Sequence, residues 1–84
     1  MNLYQVEFFR VGRPAEGGAR VGGIEAVALV ASNNAHHAIS GARCVLGPLV
    51  RDLAEMAGRC EQVGRANLPY GWSATHVYEA EADK

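Results

Sequence analysis

The stretch Ile24–Leu46, IEAVALVASNNAHHAISGARCVL, constrains the fold more than any other part of the chain. Its first part, Ile24–Ala31, is apolar apart from Glu25, the pattern of a central β-strand. Its second part carries Ala35, Ala38, Ile39, Ala42, Val45 and Leu46 at helical spacing, a stripe that Leu49 extends. Between them lies the polar hinge Ser32-Asn33-Asn34, and any of these side chains can cap the first turn of a helix by accepting an orphan amide proton. The small residues of the helical stripe let such a helix lie close to a sheet. A strand feeding a helix in this way predicts a two-layer α+β domain.

The flanking segments fill in the rest. Leu3–Val11 alternates, with Tyr4, Val6 and Phe8 on one face and Leu3, Phe9 and Val11 on the other. Gly12–Gly23 holds five glycines and a proline and reads as a long hairpin loop. Gly47-Pro48 interrupts the helix or bends it, since proline lacks the amide donor and disfavours helix at the preceding residue. Leu49, Leu53 and Met56 then line one side of a second helical segment, Pro48–Ala57, with Gly58 as its stop. Cys60–Ala66 alternates as a short strand, Asn67–Gly71 reads as a turn, and Trp72–Ala80 is a final strand before a fraying end at Glu81–Lys84. The expected fold is α+β. It is an antiparallel sheet of three to four strands, with one bent or two short helices packed on one face, in the order β-β-α-α-β-β. One sheet face is left apolar and uncovered, a common mark of a partner surface.

The chain has 84 residues, so a single domain spanning 1–84 is expected, burying only roughly 60–65 % of its unfolded surface. Dimerisation is one way for so small a core to gain stability. Net charge is −1, which supplies no field to draw in nucleic acid or an anionic membrane. Seven of the eight cationic residues are Arg, with Lys84 the exception. Arginine suits bidentate contacts at interfaces, although the abundance of Ala, Gly, Arg and Val equally fits a GC-rich coding sequence. No apolar run reaches the ~18 residues of a membrane span, and Met1-Asn2-Leu3 leads into a strand pattern without a charged leader. A cytoplasmic protein is expected.

Chemistry-bearing constellations are weak. His36 and His37 are adjacent on a helix and diverge by roughly 100°, so they chelate one ion poorly. His37 and Cys44 share a face, but seven residues of helix rise about 10.5 Å, far beyond a shared metal. Cys44 and Cys60 lack close ligand spacing and read as small apolar core residues. Cys44 with His37, or Cys60 with His76, sits in no recognisable nucleophile turn. No metal, cofactor or catalytic residue is therefore expected, and the chain reads as non-enzymatic. The loop Gly12–Gly18 lacks the Gly-Lys-Ser/Thr of a P-loop and joins two strands. Arg10, Arg13 and Arg20, with Tyr70 and Trp72, are the candidate partner contacts, because Arg, Tyr and Trp dominate binding hot spots. Glu7, Glu16, Glu25 and Glu61 fall among the arginines and argue against direct sequence-specific nucleic-acid binding. For Trp72 the plain alternative is a tryptophan closing the small core at the turn.

In size and in strand–strand–helix–strand layout, carried by Leu3–Val11, Ile24–Ala31, the helix from Ala35 and Trp72–Ala80, the chain resembles small phage-encoded proteins, in particular the type I anti-CRISPR inhibitors. No sequence motif carries the resemblance, so no functional residue transfers, and the low charge departs from the acidic, DNA-mimicking members. The resemblance implies an inhibitor in the bacterial host cytoplasm that docks on a type I CRISPR surveillance complex. It would block target DNA binding or nuclease recruitment. The alternatives are a small homodimeric structural or regulatory protein, and an enzyme or metal protein using Cys44, Cys60 and His76.

Overall fold

Two long strands form the centre of the sheet. The computed structural model describes residues 1–11 and 21–78, with side chains placed for 1–9 and 24–78. Strand β1 (Asn2–Val11) pairs antiparallel with β2 (Val21–Ser32), setting Tyr4 opposite Val30, Val6 opposite Ala28 and Phe8 opposite Ala26. Strand β3 (Ala57–Arg65) adds beside β1 and β4 (Ser73–Val77) beside β2, so the four-stranded sheet has the order β3-β1-β2-β4 with every neighbour antiparallel. Strands β2 and β3 thus run parallel with β1 between them. Parallel strands need a crossover connection, and the helix α1 (Ala35–Leu46) provides it.

The polar hinge divides its work. Ser32 ends β2 and is buried, Asn33 is exposed, and Asn34 caps α1 by accepting the His37 N–H on Oδ1 at 2.9 Å. The helix buries Ala38, Ala42 and Leu46, four residues apart on one stripe. The short side chains of Ala38 and Ala42 bring α1 down onto the sheet, and with Leu46 they form one core with Tyr4, Val6, Phe8, Ala26, Ala28 and Val30. Phe8 is fully buried, with the Arg43 guanidinium 4.9 Å above its ring centre and Arg43 Nη1 donating to the Leu53 carbonyl at 3.3 Å. Gly58 lies opposite Phe8 on β3, where a Cβ would come within 3.0 Å of the ring, so this close approach requires glycine.

Several sequence expectations change. The segment Pro48–Ala57 forms no second helix, only a 3-10 turn at Leu53–Glu55. Its buried residues are Val50, Leu53 and Met56, spaced by three, which suits a three-residue turn and not a 3.6-residue helix. Leu49, placed on the apolar stripe by its spacing, is 58 % exposed, because the chain folds back at Gly47-Pro48 and Val50 takes the core position. Gly58 therefore belongs to β3 and is no helix stop. The Cys60–Ala66 strand is present and starts earlier, at Ala57, with a bulge opposite Leu3 and Tyr4. Val21–Gly23, read as loop, extends β2. The final strand is Ser73–Val77 among the described residues, and Glu79 and Ala80 of the expected Trp72–Ala80 lie outside them. The expected loop over 12–20 and the expected fraying at Glu81–Lys84 lie outside the described residues.

Candidate functional site

Alternation along the strands gives the sheet two unlike faces. Even-numbered residues of β1 and β2 meet α1. Odd-numbered ones, Leu3, Gln5, Glu7 and Phe9 on β1 with Val27 and Leu29 on β2, point the other way, are half-buried, and meet no helix. On the edges the register adds Arg59, Glu61, Ala74, His76 and Tyr78 to this second face. Exposed Ile24, Val63 and Tyr78 rim it. It is a mixed face: Leu3, Phe9, Val27 and Leu29 are its apolar residues along the two central strands, Gln5 and Glu7 lie between Leu3 and Phe9 on β1, and further charged and aromatic groups stand on the edge strands.

Its charged group is built from three residues. Arg59 Nε and Nη2 both donate to Glu7 Oε1, at 3.1 and 2.6 Å, and Gln5 Nε2 donates to Glu7 Oε2 at 2.9 Å. The Arg59 hydrogen bonds hold the Glu7 carboxyl below the usual glutamate range against the opposing pull of burial, and Gln5 adds to the lowering. At the opposite flank the His76 ring stands edge-on to Tyr78, with centroids 4.5 Å apart.

One end of the sheet carries the aromatic turn. Trp72 N–H donates to the Pro69 carbonyl at 3.0 Å, and Gly71 between them has φ +90°. That is a type II turn, whose third position needs glycine. Gly71 N–H donates to the Ala31 carbonyl and Ala31 N–H to the Trp72 carbonyl, both at 2.9 Å, which locks the turn to the end of β2. Trp72 is half-buried, and the alternation of β4 sets it on the uncovered face with Ala74 and His76. Tyr70 is 56 % exposed and closes a cleft of about 240 Å³ between this turn and α1. Ser32, His37, Cys44 and Ser73 also line the cleft. The Ser32 hydroxyl is buried with no hydrogen-bond partner among the described residues. No hydrogen bond joins His37 to Cys44 or Ser32 among those residues.

Of the five candidate contacts, three have a described backbone position. Tyr70 and Trp72 stand at the Ala31 end, whereas Arg10 follows Phe9, which pairs with Ile24 at the far end of the sheet. At strand rise, the interval from Ile24 to Ala31 is about 23 Å. Arg13 and Arg20 lie outside the described residues. Of the cysteines, Cys44 departs from expectation and is exposed on α1, whereas Cys60 packs half-buried against the core, its Sγ 4.0 Å from the Ala35 carbonyl. Burial pushes the Cys60 thiol up. Val27, Leu29 and the Glu7–Arg59 pair were not singled out from sequence. The near-continuous apolar run of β2 hid which half of it faces outward, and Glu7 and Arg59 are brought together only by the β1–β3 register.

Among the described residues no helix is long and apolar enough to cross a membrane, and no three His, Cys, Asp or Glu side chains converge as a metal site. No protein-family model, curated protein or solved structure matches the chain.

Proposed function

We propose that this chain is a non-enzymatic protein-binding module whose working surface is the uncovered face of the sheet. The observation that carries the reading is the set of half-buried apolar residues Leu3, Phe9, Val27 and Leu29 on a sheet face that no described helix covers, with the Glu7–Arg59 pair among them and Trp72 and Tyr78 at the β4 edge. A face of this kind buries apolar area against a partner, and its aromatic and arginine groups are the residue types that anchor interfaces. The partner argued for is a folded protein, because a sheet face offers contact area to another surface where a small molecule wants a concavity.

The narrower form of the proposal is an anti-CRISPR inhibitor, phage-encoded and acting in the bacterial cytoplasm, that docks on a type I surveillance complex. Its support is the chain's size and the strand–strand–helix–strand order read from the sequence. The test uses a purified type I surveillance complex with labelled target DNA. Co-migration with the complex and loss of DNA or nuclease binding, both abolished by Val27→Asp in a chain that stays folded, support the proposal. Failure to co-migrate removes the CRISPR target. Binding that survives Val27→Asp, Leu29→Asp and Phe9→Asp removes the sheet face as the docking surface. The alternative reading, a homodimeric structural or regulatory protein, draws support from the outer edge of β3.

A further inference from the structure

The backbone of β3 presents a ladder of hydrogen-bonding groups to no described neighbour. Its phase follows from β2. Ala31 bonds to β4's side through both its N–H and its carbonyl, and the Glu25 carbonyl accepts the Tyr78 N–H. Odd-numbered residues of β2 therefore aim their amides at β4, and even-numbered ones at β1. Carried across the register, the alternation aims Gln5, Glu7 and Phe9 at β3, onto Glu61, Arg59 and Ala57. Gly58, Cys60 and Gln62 are left with their N–H and carbonyl groups directed off the sheet. A strand edge of this length is a template for another strand.

The side chains of the edge choose a register for a second copy. If a two-fold axis passes through Cys60, Cys60 faces Cys60 of the second copy in a hydrogen-bonded pair, and Gly58 faces Gln62 at either side. Arg59 then falls directly opposite Glu61 of the second copy in a close, non-hydrogen-bonded pair, and symmetry repeats the contact. Moving the axis to Arg59 sets arginine against arginine. Moving it to Glu61 sets glutamate against glutamate, and moving it to Gln62 opposes Arg59 with Arg65. Like charges directly opposite on a sheet are destabilising and opposite charges are favourable.

We propose that the chain self-associates through antiparallel β3–β3 pairing centred on Cys60, with reciprocal Arg59–Glu61 pairs fixing the register. The isologous contact joins the two sheets into one and leaves the uncovered faces continuous across it. The inference does not depend on what that face binds. A strand-edge contact is at the small end of interface sizes, so the dimer is a weak one.

The test is light scattering on full-length chains at about 100 μM, a concentration suited to a weak interface. Wild type is expected to dimerise. Glu61→Arg alone and Arg59→Glu alone are each expected to weaken the dimer about tenfold or more, since each places like charges at both symmetric pairs. An equimolar mixture of the two variants restores complementary pairs and is expected to dimerise again. That rescue separates lost pairing from lost folding, which circular dichroism of each variant checks directly. Hydrogen-bonded antiparallel partners have Cα atoms about 5.5 Å apart, within disulfide range. Diamide, which accepts the two hydrogens as the thiols join, is then expected to cross-link wild type and Cys44→Ser but not Cys60→Ser. A monomeric wild type, a dimer indifferent to both charge reversals, a mixture that stays monomeric, or cross-linking that needs Cys44 would each overturn the proposal.

Discussion

Phe8 and Phe9 are neighbours of the same residue type on the same strand, and they lead opposite lives. Phe8 is fully buried beneath α1, stacked under Arg43 and closed off by Gly58. Phe9 is half-buried on the face that meets no helix. The difference is one step of the pleat. It teaches that the alternate residues of these strands are divided between holding the fold and presenting a surface, and that residue type alone does not tell which.

The sharpest way to break that comparison is truncation of both rings. Phe8→Ala is expected to cost about 3–5 kcal/mol, a large part of the stability of a domain this size, measured by urea denaturation. Phe9→Ala is expected to cost less than half as much. Equal costs would mean that the second face is covered in solution and that its description as a docking surface is wrong. Next in size is Asn34→Ala, which removes the cap that accepts the His37 N–H and is expected to cost about 1 kcal/mol. A null result there would show that α1 is held by its Ala38–Ala42–Leu46 contacts alone.

A smaller effect is expected on the uncovered face, at Glu7→Gln. Because Arg59 lowers the folded-state pKa of Glu7, its contribution is present above the ordinary glutamate range and is lost as pH falls through the lowered value. The difference between wild type and Glu7→Gln in thermal melts should therefore be present at pH 7 and vanish in acid. Arg59 is 67 % exposed on its side chain, so salt should also shrink the difference. The smallest change is expected from Ser32→Ala. Its hydroxyl is buried without a described partner, so removing it should leave stability unchanged or slightly raised. A loss of about 1 kcal/mol or more would mean that the hydroxyl is hydrogen-bonded in solution.

Much of the fold was legible from periodicity. The alternation of Leu3–Val11, the apolar run from Ile24, the asparagine cap and the small-residue stripe of α1 are local patterns, and local sterics and hydrogen bonding read them directly. Pro48–Ala57 is not legible in this way, because Leu49, Leu53 and Met56 mimic a helical stripe, whereas the core takes Val50, Leu53 and Met56. Of the candidate contacts, Tyr70 and Trp72 do share one end of the sheet, since four consecutive residues make one turn. Arg10 does not join them, because strand direction carries it to the far end.

What the sequence by itself determined is the two central strands, the helix α1 with its cap and the alternation of each strand, since these follow from the helical and strand periods and from caps a few residues long. Three further features were decided by the tertiary structure. One is the strand order β3-β1-β2-β4, with β3 and β4 on opposite edges although adjacent in the chain. Another is the choice of Tyr4, Val6 and Phe8 as the face under α1, with Leu3 and Phe9 left outward. The last is the meeting of Glu7 with Arg59. All three depend on pairings between residues distant in sequence. Register assigns such pairings, and a one-residue slip would reverse every face.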